Sequence, residues 1–177
     1  MADTTATDSP ALYVGTYSKY NNGSIKGAWL KLEDYADSAE FFAACKELHK
    51  DEADPELMFQ DYECFPASLY SECMGSETID RIIEYTQLSE HDQNIVAEYA
   101  EATYGTLPED FSDALEAYAG ELPDMWNKDE ALGYFLADHG YIEIPEGSLS
   151  NYFDYEAYGR DEKGNWNISE NGYVFHV

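Results

Sequence analysis

Residues 107–122, LPEDFSDALEAYAGEL, set five carboxylates among regularly spaced apolar side chains and contain no base. Carboxylates at that density could supply the acid and base of a glycosidase, but that chemistry depends on the separation of two particular groups, and no pair is singled out here. Other catalytic signatures are missing: the chain has no G-x-S-x-G, no P-loop and no H-E-x-x-H. Its histidines, His49, His91, His139 and His176, are scattered without ligand spacing, and Asp161-Glu162-Lys163-Gly164-Asn165 departs from the calcium-loop pattern. The expectation is a protein that is not an enzyme, needs no metal or other cofactor, and uses its carboxylates together as an interaction surface. On a helical reading, Phe111, Leu115, Tyr118 and Leu122 form one apolar stripe. Glu109, Asp113 and Glu116 keep the same intervals on another face and point outward together.

The whole chain shares this bias. Against 37 acidic residues stand 9 basic ones, leaving −28 over 177 residues, and self-repulsion on that scale works against any compact state. A solubility coat or adaptation to high salt would explain the total, and composition alone leaves both open. Distribution favours recognition: residues 51–127 hold 20 acidic residues and one base, Arg81, a net −19, whereas a coat would spread its charge evenly. With 44% hydrophobic and 15% aromatic residues the chain should nevertheless fold. Three cysteines, Cys45, Cys64 and Cys73, are odd in number and form no C-x-x-C, which disfavours a disulfide framework and a thiolate zinc site. A reducing cytoplasm is the simplest location. No apolar run approaches a membrane span, and the first ten residues lack the base and apolar core of an export signal.

Positioning these residues calls for an α+β chain of three small units in elongated series. Residues 1–10 read as a flexible leader. Residues 11–73 read as an α+β unit: strands at 11–17 and 25–32 joined by an Asn21-Asn22-Gly23 turn, a helix opened by Asp37 and Glu40 with Phe41, Cys45 and Leu48 on one face, and a strand at 57–62. Residues 74–106 read as a central helical unit, with Ser76 capping a segment that carries Ile79, Ile82 and Ile83, and Ser89 with Asp92 capping another that carries Ile95, Val96 and Tyr99. Residues 107–177 read as a second α+β unit, with a helix over 128–140 and a hairpin whose arms flank Glu170-Asn171-Gly172.

Four motifs in this order resemble the ArdA family of antirestriction proteins. They are the Lys19-Tyr20-Asn21-Asn22-Gly23 turn with Gly27-Ala28-Trp29, the Asp61-Tyr62-Glu63 element, the acidic run ending in Glu116-Ala117-Tyr118-Ala119-Gly120-Glu121, and the segment from Asn151 to Asp161, NYFDYEAYGRD. The resemblance covers roughly residues 12–177, and the last motif is its most specific part. It implies an elongated homodimer that mimics DNA and blocks type I restriction-modification enzymes by occupying the DNA groove of their methyltransferase core.

Charge arithmetic agrees with that implication. Duplex DNA carries one charge per about 1.7 Å, so −28 corresponds to roughly 48 Å of duplex per chain. The carboxylates expected to stand for phosphates are Glu77, Asp80, Glu84, Glu98, Glu101, Glu109, Asp110, Asp113, Glu116, Glu121 and Asp124. Such a surface repels nucleic acid, so no direct DNA binding is expected. The competing reading is an acidic inhibitor or chaperone of some other basic DNA-binding protein, which composition does not separate from antirestriction.

Overall fold

The computed structural model describes residues 8–145, 147–148 and 150–177, so residues 1–7 of the expected leader lie outside the described residues. Pro10, at the end of that leader, is buried, and its carbonyl accepts the Leu32 N–H at 2.9 Å. The chain is α+β and divides into two compact units, the first ending at Gln93 and the second beginning at Asn94.

In the first unit, strand β1 (Ala11–Thr16) runs between β2 (Ala28–Lys31) and β3 (Leu57–Glu63) in an antiparallel sheet of order β2-β1-β3. Alternation buries Leu12 and Val14 on one face and places Tyr13 on the other. The expected hairpin is present, but its connection is longer than a simple turn. One helical turn, α1 (Tyr17–Asn21), intervenes because the Thr16 hydroxyl accepts the Lys19 N–H at 3.2 Å and caps it.

Helix α2 (Ser38–Leu48) starts where the sequence predicts, with the Asp37 carboxylate accepting the Glu40 N–H at 2.9 Å. Glu40 in turn accepts the Ala36 N–H at 3.0 Å, one residue earlier than in a capping box. Phe41 and Cys45 are fully buried, and the Phe41 ring lies 6.0 Å from Phe59 of β3, so this helix packs on the sheet as expected. Burial pushes the Cys45 thiol up to about 12, which makes it a packing group and not a nucleophile. Helix α3 (Ser76–Gln87) buries Ile79, Ile82 and Ile83 as their spacing predicts. Ser76 is not its cap, however; Gly75 holds that position without a side-chain bond, and Ser76 is the first helical residue.

A polar cluster lies between α1 and the end of α2. His49, Asp51 and Glu52 bring their ligand-type atoms within 4.8 Å of one another, a grouping suited to a cation. The cation there is the chain's own: Lys19 Nζ sits 2.8 Å from His49 Nδ1, 2.9 Å from Asp51 and 3.0 Å from Glu52. The Lys19 hydrogen bond holds Asp51 down at about 2, while bonds from Thr16 and Lys19 lower Glu52. Burial lowers His49, which keeps its ring neutral between Lys19 and the Val14 carbonyl.

Helix α4 (Glu90–Ala102) falls mostly in the second unit and is capped as predicted, Ser89 Oγ accepting the Asp92 N–H at 3.2 Å and donating to its carboxylate at 2.8 Å. The chain continues through α5 (Phe111–Ala117), β4 (Tyr118–Glu121), α6 (Lys128–Asp138), α7 (Tyr155–Glu162), β5 (Trp166–Ile168) and β6 (Tyr173–His176). The sheet has order β4-β6-β5, all antiparallel, with the predicted hairpin forming β5 and β6. Central strand β6 is covered on both faces. Val174 packs with Leu132, Phe135 and Leu136 of α6, while Phe175 packs with Ile95 and Ala102 of α4 and with Leu115 and Tyr118.

Helices α6 and α7 cross at two glycines. A Cβ at Gly159 would fall on the Asp129 carbonyl oxygen, and one at Gly133 on the Tyr155 carbonyl oxygen, so only hydrogen fits at either point. The Asp154 carboxylate caps α7 through the Ala157 N–H at 2.9 Å, and Tyr155 stacks on Tyr134 of α6 at 3.9 Å. The segment from Asn151 to Asp161 thus includes the crossing that holds α7 in place. Among the described residues, no helix is long and apolar enough to cross a membrane.

Candidate functional site

The acidic stretch does not form the single helix that its periodicity suggests. Helix α5 covers only Phe111–Ala117, and Tyr118 onward is strand β4. The sheet wins this competition: Tyr118, Gly120 and Glu121 pair with Phe175, Val174 and Tyr173 of β6, and Gly120 adopts φ +138°, which no helix contains. The expected stripe is therefore split between two elements, with Phe111 and Ala114 buried and Leu115, Tyr118 and Leu122 only half-buried.

Burial of Phe111 and Ala114 fixes which face of α5 remains outside, and it is the face of Asp113 and Glu116. The helix starts at Asp110 because its carboxylate accepts the Ser112 N–H at 2.8 Å, a bond that holds this carboxyl below the usual carboxylate range. Burial, and then the neighbouring Glu121 carboxylate, push the Tyr118 phenol up to about 12, so it stays protonated and donates to Glu121 at 3.3 Å.

Of the eleven carboxylates expected to meet a partner, ten are exposed and Glu98 is half-buried, so nearly all are open to contact. Five are already bonded within the fold. Asp80 accepts both the Ser38 N–H at 2.6 Å and the Ser38 hydroxyl at 2.9 Å. Glu98 accepts from the Asn171 amide at 2.7 Å, and Glu101 from the Glu170 N–H at 2.7 Å, so both hold the β5–β6 turn against α4. Asp110 and Glu121 have the partners given above.

The other six, Glu77, Glu84, Glu109, Asp113, Glu116 and Asp124, make no hydrogen bond and no ion pair among the described residues. Glu77, Asp80 and Glu84 share one face of α3 in the first unit, while the remainder belong to the second. Among the described residues none of the eleven is neutralised by a lysine, since the lysine ion pairs there go to Asp51, Glu52, Glu33, Glu47 and Asp129.

This division predicts different losses. Asp80→Ala removes two charge-assisted bonds to a buried serine and should lower the stability of the first unit by about 1–2 kcal/mol, discounted for exposure of the carboxylate. Glu77→Ala and Glu84→Ala, one turn away, should change it by less than about 0.5 kcal/mol. Urea unfolding of the three variants checks this.

The structure adds two residues that sequence reading overlooked. Tyr104 and Trp126 are fully exposed, at 99% and 101%, and bracket the acidic stretch in sequence. Large aromatic rings left in water are favoured anchors for a protein partner. The available signal was that neither fits an apolar period: Tyr104 precedes Gly105, and Trp126 precedes Asn127, the α6 cap.

No curated protein matches this sequence. The family model described as Antirestriction protein (ArdA) matches residues 12–175, from the first residues of β1 to Phe175 at the centre of the second sheet. A match over nearly the whole chain places the carboxylate surface, the glycine crossing and both sheets inside one family pattern, and the chain belongs to the ArdA antirestriction protein family.

Proposed function

We propose that this chain is a non-catalytic protein inhibitor that acts as a homodimer in the cytoplasm, mimicking the charge and shape of double-stranded DNA and filling the DNA groove of a type I restriction-modification enzyme at its methyltransferase core. Membership of the family supports the antirestriction function. The observation that carries the finer reading is the surface: ten of eleven candidate carboxylates are exposed, and among the described residues none forms an ion pair with a lysine. The six that make no hydrogen bond or ion pair among the described residues are fully available to the lysines and arginines of a groove that otherwise holds phosphates.

A distributed surface of this kind needs no catalytic group, cofactor or metal. Its attraction is long-range and falls with salt, since the Debye length shrinks to about 10 Å near 0.1 M. Tyr104 and Trp126 would add apolar contact where charge alone gives little specificity. The test is inhibition of DNA cleavage by a purified type I enzyme at increasing DNA concentration. Half-inhibition should move to higher inhibitor concentration in proportion to DNA, and Trp126→Ala should need several-fold more inhibitor without a change in melting temperature. Half-inhibition independent of DNA would contradict the proposal.

A further inference from the structure

The outer face of the first unit's sheet carries a cup that the carboxylate surface does not use. The register sets Tyr13 of β1 opposite both Trp29 of β2 and Asp61 of β3, so the three form one row across the sheet. The cup is about 630 Å³ and is completed by Tyr20, Gln60 and Glu72, among others. The Glu72 backbone is held beside β3 because its carbonyl accepts the Phe59 N–H at 3.0 Å, which leaves its exposed carboxylate at the cup. The Tyr13 ring is held by its hydroxyl, which donates to the Ile25 carbonyl at 3.1 Å, and it meets Trp29 edge-on at 5.5 Å. Among the described residues no lysine, arginine or histidine lines the cup.

Aromatic rings beside carboxylates form a site for a cation, with the ring faces supplying quadrupole attraction and the acids supplying charge. An open sheet face, unlike a closed cage, admits a planar guanidinium, which is weakly hydrated, stacks on indole and donates to more than one carboxylate at once. The Gln60 amide packs over Gly15 in the lining, with its Nε2 enclosed and without a hydrogen-bond partner among the described residues; only a rotation of this side chain would bring that donor to a peptide carbonyl beside the cation.

We propose that this cup docks an arginine side chain presented by an exposed segment of a protein partner, with the guanidinium over Trp29 and between Asp61 and Glu72. The charge balance of the lining selects that occupant, since an acidic or neutral segment would leave the carboxylates uncompensated. This contact belongs to the first unit and does not rest on the groove-filling reading, so either can fail alone.

The full chain should be titrated with acetyl-Gly-Arg-Gly-amide while the indole N–H signals are followed by NMR. Trp126, exposed beside Asp124, serves as an internal control for non-specific attraction to an acidic protein. A saturable shift is expected at Trp29 and not at Trp126. The same peptide with neutral citrulline should bind at least about tenfold more weakly. Glu72→Gln, at an exposed side chain, should weaken binding several-fold with the fold intact, and Trp29→Leu should remove it. Equal binding of the citrulline peptide, equal shifts at the two indoles, or no effect of Glu72→Gln would overturn the proposal. Equal binding of acetyl-Gly-Lys-Gly-amide, titrated in the same way, would overturn the choice of arginine.

Discussion

Gly159→Ala should cost the second unit about 3 kcal/mol or more, a large part of the roughly 5–15 kcal/mol that a domain has in total. The new methyl group would fall on the Asp129 carbonyl, which is backbone of α6 and cannot rotate away, so α6 and α7 would have to separate. Separation would draw Tyr155 from Tyr134 and loosen the packing of Tyr158 on the Leu132–Phe135–Leu136 cluster. Gly133→Ala, which meets the Tyr155 carbonyl at the other side of the crossing, should cost a comparable amount. Gly164→Ala is the control, because nothing lies within 4 Å of its added methyl group, and it should shift stability by less than about 0.5 kcal/mol. Urea unfolding followed by near-UV circular dichroism reads all three. A Gly159→Ala protein as stable as the control would mean that the helices do not cross at the spacing described.

The largest loss of function without loss of fold should come from reversing Glu109, Asp113, Glu116 and Asp124 to lysine together. These four side chains are exposed and bond to nothing else among the described residues, so the fold asks little of them. The net charge moves from −28 to about −20, and four attractions to a basic groove become four repulsions. Inhibition should weaken by about 100-fold or more, while melting changes little beyond the modest cost of a cation at Asp113 in the first turn of α5. Neutralising any one of the four should weaken it only several-fold, in keeping with about 0.2–1 kcal/mol for an exposed pair. Asp110 is left out because it caps α5. If one neutral substitution abolished inhibition and the rest did nothing, a specific role for that residue would replace the distributed surface.

Much of the fold was legible because local chemistry and tertiary packing agree. Asp37 and Ser89 cap the helices they were expected to cap, Leu132, Phe135 and Leu136 are the buried face of α6, and Glu170-Asn171-Gly172 turns a hairpin. Where the reading failed, a distant element overrode the local pattern. The stripe from Phe111 to Leu122 fits a helix throughout, but β6 offers Tyr118, Gly120 and Glu121 a sheet edge that periodicity does not reveal. Ser76 looks like a cap, yet the helix begins one residue before the serine could serve. Lys19 finds its carboxylates 32 and 33 residues away, and Gly159 finds its helix through packing, so neither role has a short-range signal. Acidity identified the candidate carboxylates, but which are structurally bonded depended on neighbours such as Ser38, Glu170 and Asn171.

The central claim, that this protein takes the place of DNA, is tested most directly by native mass spectrometry of a type I methyltransferase core mixed with a duplex containing its target site and with this protein. Two surfaces that need the same groove cannot occupy it together. The expected spectrum contains enzyme with DNA and enzyme with inhibitor, their proportions exchanging as either ligand is titrated, with no species carrying both. A stable ternary complex of enzyme, duplex and inhibitor, formed at the concentration that blocks cleavage, would contradict the mechanism.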